Sequence, residues 1–157
     1  MHDSNVLIRR ILESEWQIYK ELRLTALKLA PEAFGAKYED AIKRLDSDWI
    51  LQTQSFSKGT DSINFLAFVN DQPLGMVSCY IKERAEMFQM WVDPSVRGLG
   101  IGKELVTQLK HWVKRTGAPY LFASVYKTNT AAFRLYNHLG FLQVGDTSIE
   151  IHLSCRL

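Results

Sequence analysis

The chain has 157 residues, 46% of them hydrophobic and 23% charged, a composition that indicates a globular protein and excludes a disordered or fibrous one. The formal net charge of +2 gives no reason to expect nucleic acid or an anionic membrane as a partner. Two cysteines, Cys79 and Cys155, are too few for a disulfide framework and lack metal-ligand spacing. With no signal-like or membrane-spanning stretch, we expect one cytoplasmic domain over 1–157, without a metal.

The first third of the sequence predicts one strand followed by helices. Residues 6–11 are short and aliphatic, as in a strand. From Ser14 onward, apolar residues recur at helical spacing, which predicts a helix capped by Ser14 and ended by Pro31. The stretch "EAFGAKYEDAIKR" then predicts a loop leading into a second helix, and Ser47 is the expected cap of a third helix around 49–54.

The remaining sequence alternates between strands and helices. A hairpin is predicted through the turn "NDQP", and Gly and Pro residues separate the later elements. The predicted strands are 63–69, 74–84, 86–92, 120–125, 141–145 and 148–157, and the predicted helices are 101–116 and 129–139. Three consecutive strands should pair antiparallel, whereas the crossover through 101–116 requires a parallel pair. We therefore expect an α/β (α+β) fold with a mixed sheet of six to seven strands and helices on both faces.

The stretch "VRGLGIGKEL" (96–105) holds three glycines in alternation. A P-loop ending at Gly102 and Lys103 would need glycine where Arg97 stands and serine or threonine where Glu104 stands. A dinucleotide fingerprint starting at Gly98 would need glycine at Lys103. Both phosphate-binding motifs are therefore excluded.

A simpler phosphate site is still compatible with this stretch. A strand ends at Val92 and a helix begins near Ile101, where the first backbone N–H groups have no helical acceptor. Glycines at these positions leave the N–H groups uncovered, and the helix dipole favours an anion. Arg97 and Lys103 add positive charge at either end. The pattern predicts a pyrophosphate cradle, although a glycine-rich turn with two solvated cations explains it as well.

A second notable stretch is "KTNTAAFRLYNHLGF" (127–141). Asn129 suits a helix N-cap and Gly140 a helix end. Tyr136 follows Asn129 by seven residues, about two helical turns, so both lie on one face. Taken alone, Tyr136 is better explained as an ordinary tyrosine at the edge of the core.

The two stretches together resemble the GNAT superfamily of acetyl-coenzyme A-dependent N-acetyltransferases. The R/Q-x-x-G-x-G/A motif of the family is matched by Arg97, Gly100 and Gly102, and its later helix by Asn129, Tyr136 and the "LGF" at 139–141. This resemblance covers nearly the whole chain. It implies a GNAT-like fold and acetyl-coenzyme A as acetyl donor.

The resemblance also implies where the coenzyme binds. Its pantetheine tail would pair like an added strand between two splayed strands, with a bulge expected near Gln89 or Met90. The implied cofactor residues are Met90, Trp91, Val92, Arg97, Gly98, Leu99, Gly100, Ile101, Gly102, Lys103, Asn129, Ala132 and Tyr136.

In the implied reaction an amine attacks the thioester directly. Tyr136 is the expected general acid for the leaving thiolate, and the backbone N–H of Val92 the expected donor to the oxyanion. Glu86 is a candidate general base, with an ordered water as the alternative.

The acceptor is expected to be a small-molecule or peptide amine. We expect Phe34, Glu39 and Glu83 to contact it, and these acidic residues favour a cationic amine. A monomer and a homodimer are both compatible with the sequence, and the last strand is a candidate for pairing with a neighbour. Two further functions stay open, a non-catalytic acyl-coenzyme A sensor of the same fold and a nucleotide-binding module.

Overall fold

The computed structural model describes residues 4–157, so the first three residues of the predicted domain lie outside it. One seven-stranded sheet runs through this part of the chain in the order β1-β2-β3-β4-β5-β7-β6. Its strands are β1 Val6–Arg10, β2 Ser62–Val69, β3 Gln72–Ile81, β4 Ala85–Val92, β5 Tyr120–Tyr126, β6 Leu142–Asp146 and β7 Glu150–Arg156. The predicted mixed sheet is confirmed. The last strand, which the sequence leaves as a candidate for pairing with a neighbour, is bonded on both edges within this chain, to β5 and β6.

Within residues 4–157, five α-helices accompany the sheet: α1 Trp16–Leu29, α2 Tyr38–Ala41, α3 Asp46–Lys58, α4 Ile101–Arg115 and α5 Thr130–His138. Both predicted serine caps are wrong. Ser14 lies inside a 3-10 turn, Glu13–Glu15, and Ser47 is the second residue of α3. In each case an acidic side chain one residue further on reaches back to a preceding backbone amide, Glu15 to Leu12 at 2.8 Å and Asp48 to Leu45 at 3.3 Å. Each helical turn therefore begins one residue before the serine, with Leu12 or Leu45 at the N-cap position.

The helices cover both faces of the sheet. On one face, α1 and α3 enclose a cluster that includes Tyr19, Leu22, Trp49 and Phe56. On the opposite face, α4 and α5 pack over a second cluster that includes Leu105, Leu109, Val113 and Tyr136. Among residues 4–157, no helix is both long and apolar enough to span a bilayer.

The two central strands diverge. β4 and β5 are the predicted parallel pair, but only Ala85 with Leu121 and Glu86 with Phe122 are in register. Beyond these two pairs, β4 is deflected by a bulge in its antiparallel ladder with β3. The bulge lies at Gln89, whose φ of 56° is in the left-handed region. The structure confirms the bulge expected near Gln89 or Met90.

Candidate active site

The gap between β4 and β5 opens into a cavity of about 970 Å³. Its lining comes from both faces of the sheet: α1 and the segment 29–35 on one side, and the glycine loop with the first turns of α4 and α5 on the other. The cavity therefore passes through the sheet, and two reactants can approach each other from opposite faces. Among residues 4–157, no three His, Cys, Asp or Glu side chains are grouped as a metal site requires.

The glycine loop presents bare backbone at one end of this cavity. Gly98 and Gly100 adopt left-handed φ values of 86° and 77°, and a Cβ at either position would meet no atom within 4 Å. The first α4 hydrogen bond runs from Glu104 N to Gly100 O at 3.0 Å. Among residues 4–157, the amides of 99–103 donate no hydrogen bond. They are free to bind an anion at the helix N-terminus.

Gly102 has a different structural role from the other two loop glycines. A Cβ there would come within 3.0 Å of Met90 Cε and 3.1 Å of Leu135 Cδ2. The missing side chain therefore allows α4 to pack closely against β4 and α5.

The cations of this loop are exposed. Arg97 donates from Nε to the Val92 carbonyl at 3.2 Å and lines the cavity, as does Lys103. Leu99 is half exposed and lies outside the cavity lining.

The end of β4 directs two amides into the gap. Asp93 N donates to Leu74 O on β3 at 2.8 Å. The backbone groups of successive strand residues point alternately to either side. The backbone N–H of Trp91, which is in register with Met76, therefore faces β3 as well. The N–H groups of Met90 and Val92 therefore point towards the diverging β5. Of the three predicted backbone contacts, the structure brings Met90 and Val92 to the gap and commits Trp91 to the β3 ladder.

Helix α5 supplies the predicted Asn129, Ala132 and Tyr136 to the same cavity. The Asn129 side chain caps the helix by accepting from Ala132 N at 3.2 Å, which leaves its amide N–H groups as donors. Tyr136 is 5% exposed, packs against Phe141, and finds no hydrogen-bond partner for its hydroxyl within 4–157. Burial raises the pKa of Tyr136 above its usual value, so the group stays protonated and able to donate.

The predicted acceptor residues and the candidate base fall into two groups. Phe34 and Glu86 line the cavity. Glu86 is partly buried, and its Oε1 accepts from Arg84 Nε at 2.6 Å. Glu39 is exposed on α2, and Glu83 lines a separate cavity of about 400 Å³. The structure does not bring these last two carboxylates to the site, which removes the reason for expecting a cationic acceptor.

Sequence reasoning missed a buried polar network beneath the bulge. Gln89 Oε1 accepts from Tyr19 at 3.0 Å and from Ser78 at 2.9 Å, and Ser78 accepts from Asn64 at 2.9 Å. The available signal was the presence of Asn64 and Ser78 inside otherwise apolar strands.

Arg23 was also missed. It is buried on α1 and lines the cavity. Its spacing of four residues from both Tyr19 and Leu27 placed it on the apolar face of the helix, which was a usable signal.

Comparison with known proteins gives the family. The profile described as "Acetyltransferase (GNAT) family" matches residues 13–141, and the chain belongs to this family. The peptidyl-lysine N-acetyltransferase YjaB of Salmonella typhimurium is 30% identical over 72% of this chain and 67% of its own length. In two other curated relatives, the segment that matches this chain makes up only 38% and 66% of the relative's own length.

Solved structures share the fold across nearly the whole chain. A GNAT-family acetyltransferase from Streptococcus pneumoniae gives a TM-score of 0.82 at 19% identity, covering 98% of this chain and 99% of that one. PaiA N-acetyltransferase from Thermoplasma acidophilum, solved in complex with coenzyme A, gives a TM-score of 0.76 at 17% identity, covering 98% of this chain and 99% of that one.

Proposed function

We propose that this protein transfers an acetyl group from acetyl-coenzyme A directly to a primary amine. The observation that carries the proposal is the set of unbonded backbone amides at 99–103, continuous with the gap into which Met90 and Val92 direct their N–H groups. A doubly charged pyrophosphate suits the unbonded amides of 99–103, and an extended amide-containing tail suits the gap beside β4.

The residues of the cavity fit the coenzyme along its length. The open space above Gly98 and Gly100 admits phosphate oxygens close to the loop backbone, with Arg97 and Lys103 adding charge. The pantetheine amides would pair with the exposed main chain of β4 as an added strand. Ala132, at the start of α5, leaves room for the tail, and the Asn129 amide offers it a donor.

Two groups would assist the transfer itself. As the amine attacks, negative charge develops on the thioester oxygen, and the fixed N–H of Val92 is the donor available to stabilise it. When the carbon–sulfur bond breaks, the coenzyme leaves as a thiolate, which needs a proton. Tyr136, protonated and without another partner in 4–157, would supply that proton.

The proton lost by the amine requires a base. Glu86 lines the cavity and is our candidate, because Arg84 occupies only its Oε1 and Oε2 is left to accept a proton directly or through a water. The acceptor approaches from the α1 face, past Phe34. The name of the YjaB relative refers to peptidyl-lysine, a primary amine of the same class.

A second candidate is a sensor that binds acyl-coenzyme A without transfer. The pairing of Glu86 with Arg84 favours it, since it occupies one of the two oxygens of the proposed base. Single-turnover release of the coenzyme thiol, measured with a panel of primary amines, separates the two. Release that depends on the amine supports the enzyme, whereas binding without release to any amine supports the sensor.

A nucleotide-binding module is the third possibility. It predicts that ATP or NAD raises the melting temperature more than acetyl-coenzyme A does. The proposed function predicts the reverse order, which the same thermal-shift experiment checks.

A further inference from the structure

Arg23 is the one charged residue among the buried polar side chains of 4–157. It is 9% exposed, makes no ion pair or hydrogen bond with the described residues, and its Nη1 is fully inaccessible without a partner. Arg10, by contrast, donates to three backbone carbonyls. A buried guanidinium without an acceptor is costly to keep, so Arg23 needs an explanation other than stability.

The position of Arg23 relates it to the acceptor half of the cavity. It lies one turn beyond Tyr19, whose hydroxyl donates to Gln89 at the β4 bulge. The ring of Phe34 lies 4.8 Å from the guanidinium carbon and covers one face of it. Arg23 and Phe34 both line the cavity on the face of the sheet opposite α5, where the amine must enter.

No described carboxylate neutralises this charge. Within the cavity lining, Glu86 pairs with Arg84, Glu150 lies 3.5 Å from His152 Nε2, and Glu32 is exposed without an ion pair to Arg23. The neighbouring Arg44 adds further positive charge. The acceptor half therefore has a planar, unpaired cation, which matches a carboxylate in shape and charge.

We propose that Arg23 binds a carboxylate of the acceptor, so that the substrate is an amine that also carries a carboxylate, of which a free amino acid is the simplest case. Phe34 would hold the guanidinium plane while the carboxylate bonds its edge. This inference rests on the proposed acetyl transfer. It replaces the cationic acceptor expected from Glu39 and Glu83, which lie away from the cavity.

The test uses matched acceptors that differ only in the carboxylate. Coenzyme thiol release is measured at saturating acetyl-coenzyme A with amino acids, with the corresponding amino acid amides, with β-alanine and 4-aminobutyrate, and with spermidine. An acidic dipeptide with a free N-terminal amine distinguishes a peptide carboxylate from that of a free amino acid. Rates are compared per neutral amine, because amides and acids differ in amine pKa.

We expect the best amino acid to exceed its amide by at least about tenfold in kcat/KM. Arg23→Gln should abolish this preference by raising KM for the acid about tenfold or more, with KM for acetyl-coenzyme A unchanged. The preference of Arg23→Lys for the acid should lie between those of the wild type and Arg23→Gln, because lysine keeps the charge without the planar fork of the guanidinium. Arg115→Gln, an equal change on the exposed end of α4, is the matched control and should behave as wild type.

Amides or spermidine acting as well as the acids would overturn the inference, as would a preference that survives Arg23→Gln in the folded variant. If no amine is acetylated although acetyl-coenzyme A binds, the proposed function fails. A binding experiment then tests separately whether Arg23 forms a carboxylate subsite. In that case, N-acetyl amino acids should raise the melting temperature of the wild type in the presence of coenzyme A. Loss of this rise in Arg23→Gln, with a complete or partial loss in Arg23→Lys, would support the carboxylate subsite. No rise in wild type would overturn it.

Discussion

Tyr19 and Gln89, seventy positions apart in the sequence, are joined by a 3.0 Å hydrogen bond from the tyrosine hydroxyl to the Gln89 side-chain oxygen. Gln89 has the left-handed backbone of the β4 bulge, a conformation that non-glycine residues adopt at a cost. The side-chain bonds from Tyr19 and Ser78 hold it there. The bond thus links α1, on the acceptor face, to the strand that we propose binds the coenzyme.

Removing the Gln89 carboxamide should destabilise the protein. Gln89→Leu leaves the buried hydroxyls of Tyr19 and Ser78 without their acceptor, and we expect the free energy of unfolding to fall by about 2–4 kcal/mol. Tyr19→Phe deletes one bond and leaves Ser78 on Gln89, so its cost should be about 1 kcal/mol. Urea denaturation of both variants checks the order. Equal losses would show that the network does not hold the bulge.

The buried Arg23 and the half-buried Arg10 should differ in their effect on stability. Arg10→Met removes a guanidinium bonded to Phe56, Gly59 and Ser62 carbonyls, and should lower the free energy of unfolding by about 3 kcal/mol. Arg23→Met removes a guanidinium without a described hydrogen-bond or ion-pair partner, and should change the free energy of unfolding by less than about 1 kcal/mol, or raise it. Thermal unfolding without ligands compares the two. A larger loss for Arg23→Met would indicate that Arg23 is structural.

Stability above pH 9 should depend on Cys79. Burial first, and the nearby Glu86 charge second, raise the pKa of this thiol from 9.0 to about 12. A raised pKa means that the folded protein holds the proton more tightly, so this stabilisation is complete below pH 9 and is lost as the pH rises towards 12. Between pH 9 and 11, the free energy of unfolding should fall more steeply in the wild type than in Cys79→Ala, by up to about 1.4 kcal/mol per pH unit. Parallel curves for the two proteins in urea denaturation would contradict the assignment.

Tyr136→Phe should separate catalysis from binding. The substitution removes a hydroxyl without a described partner, so stability and coenzyme A affinity should change little. Turnover should fall about 100-fold if the hydroxyl protonates the leaving thiolate. Steady-state kinetics combined with a direct coenzyme A titration checks this. Unchanged turnover at neutral pH would remove Tyr136 as the general acid, and loss of affinity alone would give it a binding role.

The sequence predicted those features that depend on local chemistry. The bare glycine loop, the Asn129 cap and the parallel pair follow from neighbouring residues or from chain connectivity, and the structure contains each of them. The β4 bulge was expected from the family resemblance, and the structure contains it as well. The caps at Ser14 and Ser47 were mispredicted because the helical turns begin one residue before each serine, and the acidic residue just beyond it bonds back to the amide of Leu12 or Leu45.

The acceptor half of the site could not be predicted in this way. Which carboxylates reach the cavity depends on how distant elements pack together, and Glu39, on α2, and Glu83, in the turn between β3 and β4, both lie outside it. Arg23 and Gln89 matter through contacts with residues distant in sequence, such as Phe34 and Tyr19. No local pattern contains that information.

The affinity for coenzyme A of two tryptophan variants tests the central claim most directly. Gly100 and Gly117 flank α4, both have left-handed φ values, 77° and 91°, and both have open space where a side chain would begin. Gly100→Trp and Gly117→Trp therefore carry the same kind of backbone strain, but only Gly100 lines the cavity. Isothermal titration should show affinity reduced about 100-fold or more by Gly100→Trp and unchanged by Gly117→Trp. Equal affinities in the two folded variants would contradict coenzyme binding at this loop.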